Sequence, residues 1–248
     1  MGKTYEALEQ AEKEYQASRE APMAEPSPSG RPKPPKRASD HTATERYQDL
    51  KTKILTRYPE GSIKTIMFVG TAHGDGASTT AINFATTLAQ DCKLKVLLID
   101  VNLRTPSLQE VFNIDKTPGL SDLLTNGGQM ASHVRKVGPG NLYVLPCGGN
   151  HSGPVSLFES SRFKQFLKKM RKRFHYVILD APPVPAFSES RVLLAYVDGA
   201  VLVVESGKTR RQVALRVKKE LEAAGGKILG VVLNKTRYYI PGWIYKRL

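Results

Sequence analysis

The sequence predicts an α/β protein with a mostly parallel sheet and helices on both of its faces. Three observations support this prediction. Short apolar runs such as Val96–Ile99 lack polar alternation, which is typical of strands buried on both faces. These runs alternate along the chain with amphipathic segments, as strands and helices do in βαβ units. A glycine-rich turn, Gly70–Gly76, joins the first strand to a helix.

The predicted elements alternate regularly from residue 42 onward. Strands are predicted at residues 64–69, 95–99, 142–145, 176–180, 199–204 and 228–233. Helices are predicted at residues 42–58, 79–90, 119–125, 157–173, 188–196 and 209–224. Because ligands of such sheets bind beyond the carboxyl ends of the strands, the polar residues that follow the strands are the candidates for function.

The chain divides by composition into four segments. Residues 1–19 repeat apolar side chains at spacings of three and four, which predicts an amphipathic N-terminal helix. Residues 20–40 hold six prolines among serine, glycine and basic residues, which predicts a disordered linker. Residues 41–235 form the predicted α/β domain, and residues 236–248 form a tail with three tyrosines.

The charge and composition limit the classes of protein that this chain can represent. The 248 residues carry a formal net charge of +14, which favours an anionic partner. The basic run Lys168–Arg173 is interpreted as a solvated helix face, with attraction to an anionic membrane surface as the alternative. No apolar run reaches the roughly 20 residues of a membrane-spanning helix, and the polar start predicts no signal peptide. Cys92 and Cys147 lack metal-site spacing, which favours a reduced, cytoplasmic protein.

The glycine-rich turn is a candidate phosphate-binding loop. It lies between a strand and a helix, where backbone N–H groups and the helix dipole favour a negative ligand. The Walker pattern G-x-x-x-x-G-K-[ST] requires Gly where Thr71 stands and Lys where Ala77 stands. Ser78 stands where the loop hydroxyl ligates Mg²⁺. The loop residues predicted to bind nucleotide are His73, Gly74, Asp75, Gly76, Ala77, Ser78 and Thr79.

Two aspartates and an asparagine end other strands of the predicted sheet. An aspartate after a strand can be a simple helix cap or turn residue. Asp100 and Asp180 both share a sheet with a phosphate loop, so the pair is interpreted as part of a metal shell. Asn234 ends the last strand, and two interpretations stay open for it: a hydrogen bond to an adenine edge, or a structural turn.

Four further segments match the motifs of one known family. Asp100–Pro106 resembles D-x-D-L-R-x-P, Pro118–Leu124 resembles G-L-S-x-x-L, Leu142–Gly148 resembles L-P-x-G, and Asp180–Pro183 resembles the Walker B sequence D-x-P-P. From about residue 42 to its end the chain resembles the cytoplasmic domain of the bacterial tyrosine kinases (BY-kinases, CpsD/CapB-like) of polysaccharide export. These kinases belong to the MinD/ParA-like class of P-loop NTPase-like proteins.

The resemblance implies an ATP or ADP site with Mg²⁺, and transfer of the γ-phosphoryl group to tyrosines in the tail of a neighbouring subunit. Asp100 is the implied proton acceptor or metal contact, and Asp180 the residue that orients Mg²⁺ through water. The implied metal set is Ser78, Asp100, Asn102 and Asp180. The resemblance also implies a homo-oligomer and a transmembrane chain-length regulator as partner. The chain is then cytoplasmic and peripheral to the inner membrane.

The family's ring-forming helix and phosphorylated tail are kept only in part. The helix motif E-x-x-R-x-x-R falls on Glu45, Gln48 and Lys51, of which only the glutamate is retained. The tail does not contain a long tyrosine run, and an alternative is that its Trp243 packs onto the domain. The phosphoacceptor candidates are Tyr238, Tyr239 and Tyr245.

The departures from the family pattern predict weak catalysis. Ala77 removes the loop lysine, Ala72 stands where MinD-like proteins carry a second lysine, and Asn102 replaces a carboxylate. Phosphoryl transfer depends on positioning and charge stabilisation, and losing one preorganised donor costs on the order of 10²–10³ in rate. The leading hypothesis is therefore a nucleotide-binding module of exopolysaccharide or capsule export that docks on a membrane partner, with weak or no kinase activity.

Two alternatives stay open at this point. The first is an active, autophosphorylating tyrosine kinase in which His73 or Arg104 supplies a rearranged cation. The second is a ParA/MinD-like ATPase that associates with DNA, which would suit the net charge of +14. The second class depends on the lysine that is missing here, so no nucleic-acid partner is expected.

Overall fold

The computed structural model describes residues 41–59, 61–149 and 153–236. The helices are α1 (His41–Arg57), α2 (Ala77–Ala89), α3 (Leu108–Phe112), α4 (Leu120–Asn126), α5 (Pro154–Glu159), α6 (Ser161–Arg173), α7 (Glu189–Leu194) and α8 (Arg211–Ala223), with a 3₁₀ turn at Met130–Ser132. The strands are β1 (Thr65–Gly70), β2 (Val96–Asp100), β3 (Arg135–Val137), β4 (Leu142–Leu145), β5 (Tyr176–Asp180), β6 (Gly199–Glu205) and β7 (Ile228–Asn234).

The strands form one seven-stranded sheet in the order β3-β4-β2-β5-β1-β6-β7. Every neighbouring pair is parallel except β3 and β4, which are antiparallel. The prediction of a mostly parallel sheet is thus confirmed. The register places Asp100 of β2 directly opposite Asp180 of β5, so the two predicted site carboxylates meet at the carboxyl edge of the sheet.

Hydrophobic clusters cover both faces of the sheet. On one face, Phe68 of β1 packs against Phe84 of α2 with ring centroids 5.2 Å apart, and both side chains are fully buried. On the other face, Phe158 of α5 and Phe163 of α6 pack with ring centroids 5.1 Å apart. Strands buried on both sides explain the uninterrupted apolar runs in the sequence.

The predicted single helix over residues 157–173 is wrong, because the structure divides this region into α5 and α6. Ser160 adopts an extended backbone conformation between them, and its hydroxyl accepts a hydrogen bond from the Phe163 N–H at 3.2 Å. Ser160 therefore caps α6 and ends the preceding helix. The other elements predicted from residue 42 onward agree with the structure to within two residues at each end, whereas α3, β3 and the 3₁₀ turn were not predicted.

Several predictions fall on residues outside the described ranges. These are the helix over residues 1–19, the linker over residues 20–40 and the tail phosphoacceptors Tyr238, Tyr239 and Tyr245. Among the residues that the structure does describe, none of the helices combines the length and the apolar character needed to cross a membrane.

Asp198 joins three elements at the sheet edge opposite the phosphate loop. Its carboxylate accepts the Lys64 and Thr65 N–H groups at 2.7 and 2.8 Å and the Arg171 guanidinium at 2.8 Å. Burial opposes ionisation of this carboxyl, but the two N–H donors and Arg171 outweigh burial and lower the pKa of Asp198. The start of β1, the end of α6 and the start of β6 are therefore held by one anion.

Replacement Asp198→Ala is expected to lower the free energy of unfolding by about 2–4 kcal/mol at pH 7, because it leaves three partly buried donors without their acceptor. Urea titration followed by circular dichroism measures the change. The matched control is Asp91→Ala, which removes an exposed carboxylate that accepts the Lys93 N–H at 3.0 Å. Because the native pKa of Asp198 is lowered, its contribution is present above pH ~4 and disappears below it. An equal loss in both variants would contradict the assignment.

Candidate nucleotide-binding site

The phosphate loop connects β1 to α2 at the carboxyl edge of the sheet. Gly74 and Gly76 have φ angles of 88° and 89°, in the left-handed region that favours glycine. A Cβ atom on Gly76 would also collide with the side-chain amide of Asn234. Both glycines are therefore required by the loop conformation, and Gly76 places the first turn of α2 at the loop's end.

Asp75 holds the loop in shape from within. Its side chain is only 1% exposed, and one carboxylate oxygen accepts hydrogen bonds from the Thr71 N–H, the Ala72 N–H and the Thr71 hydroxyl at 2.8, 2.9 and 2.6 Å. The first half of the loop is thus ordered by the protein itself. The N–H groups of the first turn of α2 have no intrahelical acceptors and remain available to an anion.

Ala77 begins α2 and presents a half-buried methyl group where the Walker lysine would stand. Ser78 follows it, also half-buried, and its hydroxyl acts on Asp180 by lowering the pKa of that carboxyl. His73 and Thr79 are exposed on the loop and the first turn. The loop therefore retains its backbone donors and its hydroxyl but has no cation of its own.

Of the two aspartates at the site, Asp180 is the one whose surroundings stabilise the ionised form less. Neither of its carboxylate oxygens has a hydrogen-bond partner among the described residues, and the side chain is fully buried. Burial, followed by the nearby charge of Asp100, raises the pKa of Asp180 well above its usual value. The Ser78 hydroxyl opposes this shift but does not reach hydrogen-bond geometry. A buried carboxylate without partners fits a hydrated Mg²⁺ ion, which would supply them.

Asp100 differs from Asp180 because backbone donors surround it. It accepts the N–H groups of Asn102, Ser107 and Leu108 at 3.1, 3.1 and 3.3 Å. Burial raises the pKa of Asp100 to about 6, although these three N–H groups and the charge of Lys116 lower it. Asp100 therefore also organises the segment between β2 and α3, in addition to its position opposite Asp180.

Two other predicted site residues, Asn102 and Arg104, form hydrogen bonds with residues outside the phosphate loop. The Asn102 amide donates to the carbonyl and hydroxyl of Thr105 at 3.1 and 2.9 Å, and its oxygen accepts the Thr105 N–H at 3.2 Å. Arg104 donates to the buried carboxylate of Glu189 at 2.8 Å and lies over the ring of Phe187 at 5.0 Å. Neither side chain is turned to the phosphate loop by these contacts, so their predicted metal and nucleotide roles stay predictions.

Sequence reasoning missed one residue that contacts the loop. The Asn234 amide donates to the Asp75 carbonyl at 2.9 Å, and the next residue, Lys235, donates from its ammonium to the Gly74 carbonyl at 2.7 Å. Asn234 was predicted to be near the site, whereas Lys235 was not. The only available signal was its position directly after a strand end at the carboxyl edge of the sheet.

The predicted ring-forming residues lie along α1. Glu45 is exposed, Lys51 is half-buried, and the Gln48 amide donates to the Gln90 side chain at 2.9 Å. Gln48 thus helps to pack α1 against the end of α2. The role of these three residues in oligomerisation stays a prediction.

Across residues 41–59, 61–149 and 153–236, no group of three His, Cys, Asp or Glu side chains is arranged to hold a metal ion. A cation at this site would therefore depend on Asp180, Asp100 and Ser78 together with ligand oxygens. Such a partial protein shell suits Mg²⁺, which usually keeps several waters and binds substrate phosphates.

Comparison with known proteins agrees with this geometry. The profile of a family described as AAA domain matches residues 63–230. The tyrosine-protein kinase YwqD of Bacillus subtilis (strain 168) is 34% identical over 191 residues, which are 77% of this chain and 80% of that relative. Among solved structures, the chimerical protein CapA2B2 has a TM-score of 0.76 at 28% identity, covering 82% of this chain and 88% of its own. The VpsO kinase domain has a TM-score of 0.71 at 31% identity, covering 79% and 98%.

Replacement Asp180→Asn is expected to stabilise the ligand-free protein at pH 7.5 by about 2 kcal/mol, or roughly 4–8 °C in melting temperature, because it removes a buried charge without partners. Since the pKa of Asp180 is higher in the folded protein than in the unfolded chain, the unfolded chain loses this proton at a lower pH. The gain therefore grows as the pH rises above ~4 and vanishes below it.

Differential scanning fluorimetry at pH 4 and pH 7.5 measures this effect. The control Asp115→Asn changes an exposed aspartate and is expected to leave the melting temperature unchanged within about 1 °C. A lower melting temperature for Asp180→Asn at pH 7.5 would show that the carboxylate is satisfied within the protein.

Proposed function

We propose that this chain, which belongs to the CpsD/CapB-like bacterial tyrosine kinases and carries their AAA domain, binds Mg²⁺–ATP but transfers its phosphoryl group slowly or not at all. In this proposal it is a nucleotide-binding module of exopolysaccharide or capsule synthesis and export. It assembles with further copies of itself and docks on the cytoplasmic end of a transmembrane chain-length regulator.

One observation carries the proposal. Asp180 is fully buried beside the phosphate loop with two unpartnered oxygens, while Ala77 places a methyl group where the loop cation belongs. A buried, unpartnered carboxylate lowers stability, and a bound cation compensates for that cost. The machinery for holding a metal-bound phosphate is therefore retained, while the lysine that stabilises charge during transfer is absent.

The chain's own residues divide the work of binding and catalysis. The N–H groups at the start of α2 bind the phosphates, and Ser78 with Asp180 holds the metal. When bound, Mg²⁺ neutralises charge on the phosphate oxygens. Burial raises the pKa of Asp100, which makes its carboxylate a stronger base toward the proton of an attacking tyrosine. The groups that position the phosphates are therefore present, but the positive charge that stabilises the transition state of transfer is incomplete.

The edge of the sheet opposite the loop supports a location at an anionic membrane. Basic side chains precede three parallel strands there, and the Lys95 N–H donates to the His175 ring at 2.9 Å. Lys227 lies over the ring of Tyr58 at 4.5 Å. The exposed basic residues of this edge, called the basic edge, are Lys93, Lys95, Lys172, Arg173, His175 and Lys227. In this proposal the basic edge faces the lipid while the nucleotide site faces away from it.

Replacement Ala77→Lys is expected to raise autophosphorylation by on the order of 10²-fold, because it restores one preorganised donor at the phosphates. The measurement is a phosphotyrosine blot beside calorimetric titration with ATP and Mg²⁺, using the full chain. The control Ala77→Met adds comparable length without charge. Wild-type protein that fails to bind ATP at millimolar concentration would overturn the proposal, and so would wild-type autophosphorylation that Ala77→Lys does not increase.

Neutralising three residues of the basic edge is expected to weaken binding to vesicles with phosphatidylglycerol by roughly 10–100-fold, because each basic residue near an anionic surface contributes about 1 kcal/mol. The variant is Lys172→Gln/Arg173→Gln/Lys227→Gln, measured by sedimentation. The control Arg211→Gln/Arg216→Gln/Lys219→Gln removes the same charge from α8. Equal losses in the two variants would show that only net charge matters, and the assignment of the basic edge would fail.

A further inference from the structure

The phosphate loop lacks its lysine, so the other positive charges near the loop decide whether any group replaces it. Arg104 is committed to the buried carboxylate of Glu189 at 2.8 Å. His73 is exposed and makes no hydrogen bond or ion pair with any residue in the described ranges. The charge of Lys116 acts on Asp100 at the end of β2 and on Cys147 after β4. Arg104 is therefore held by a residue outside the loop, and the described residues do not fix the His73 side chain.

Lys235 is bonded to the loop directly. Its ammonium donates to the Gly74 carbonyl at 2.7 Å and lies 3.2 Å from a carboxylate oxygen of Glu205. The side chain is 48% exposed, which leaves part of the ammonium facing solvent. An ammonium has three donors, and these two contacts use two of them. The third donor remains for an anionic ligand or for water.

The end of β7 holds Lys235 in this position. The Lys235 backbone has a φ of 54°, and its N–H donates to the Asn234 side-chain oxygen at 2.9 Å. The other end of the same amide donates to the Asp75 carbonyl at 2.9 Å. Asn234 and Lys235 therefore donate hydrogen bonds to the carbonyls of Asp75 and Gly74, which are consecutive residues of the loop.

Glu205 reduces the positive charge around Lys235 but does not neutralise it. Lys208 and Lys235 both lie 3.2 Å from the same Glu205 oxygen. Burial opposes ionisation of Glu205, but hydrogen bonds from Lys235 and Lys208 outweigh it and lower its pKa. Two ammonium groups share one carboxylate, so the group keeps one net positive charge. Of the two lysines, Lys235 is the one bonded to the loop.

We propose that Lys235 is a positioning residue that replaces part of the missing Walker lysine. It holds the loop at Gly74 and places a positive charge beside the phosphates of the bound nucleotide. This inference rests on the proposed nucleotide-binding function. Lys235 contacts a loop carbonyl and does not stand at the first turn of α2, so in this proposal it contributes to binding and does not take over the role of the lysine in transfer. It therefore raises affinity without restoring transfer.

The test compares nucleotides that differ in phosphate number. Calorimetric titrations with ATP, ADP and AMP in the presence of Mg²⁺ use wild-type protein, Lys235→Met, Lys235→Arg and Lys208→Met. Lys235→Met is expected to weaken ATP binding by roughly three- to tenfold and AMP binding by less than about twofold, because the attraction grows with ligand charge. Lys235→Arg is expected to retain affinity within about twofold.

Lys208→Met is the matched control. It removes a lysine that pairs with the same Glu205 oxygen at the same distance but is not bonded to the loop. It is expected to leave ATP binding within about twofold of wild type. A loss equal to that of Lys235→Met would overturn the proposal, as would a loss in Lys235→Met that is equal for ATP and AMP, which a purely structural contact would cause.

A double replacement separates compensation from independent contributions. If Lys235 substitutes for the Walker lysine, Lys235→Met should cost less affinity for ATP in the Ala77→Lys background than in wild type. An additive effect would contradict substitution. Failure of wild-type protein to bind any nucleotide would overturn the proposed function itself. Normal wild-type binding with no effect of Lys235→Met would overturn this inference alone.

Discussion

The site depends on one electrostatic constraint, which is that two aspartate carboxylates lie next to each other at the carboxyl edge of the sheet. The parallel pairing of β2 and β5 sets Asp100 opposite Asp180, and both side chains are fully buried. Backbone N–H groups stabilise Asp100, whereas the described residues offer Asp180 no hydrogen bond. The strand register cannot separate them, so a bound cation or a retained proton must offset the repulsion.

The phosphate loop retains the contacts that fix its shape but lacks the positive charge of the Walker lysine. Shape is preserved by contacts that do not involve a ligand: the Asp75 carboxylate inside the loop, the left-handed glycines, and the grip of Asn234 on the Asp75 carbonyl. Charge is reduced at Ala77. Binding depends mainly on shape and backbone dipoles, while transfer depends on charge that develops in the transition state. This combination of retained shape and reduced charge is the basis for the proposal that the loop binds nucleotide without efficient transfer.

The two edges of the sheet have different electrostatic character. The carboxyl edge gathers the buried aspartates and the phosphate loop, and the opposite edge gathers exposed lysines, an arginine and a histidine. The parallel topology makes the two edges distinct, because all strands except β3 start at one edge and end at the other. If the basic edge contacts lipid, as proposed, the nucleotide site lies at the other edge of the sheet and stays accessible.

Local sequence determined the individual strands, the position of the phosphate loop, and the location of Asp100 and Asp180 at strand ends. Each of these depends on a short apolar run followed by a turn, and such a run has a strong preference of its own for a buried strand. The break at Ser160 escaped prediction because apolar spacing continues across it, while the backbone turns to let the Ser160 hydroxyl cap α6.

Only the tertiary structure decided which partners the candidate side chains have. Arg104 has the position of a substitute cation, yet Glu189 binds it. Lys235 reaches the Gly74 carbonyl across 161 positions of the chain. Hydrogen bonds between residues so distant in sequence depend on how the strands are ordered in the sheet, and no local pattern encodes that order.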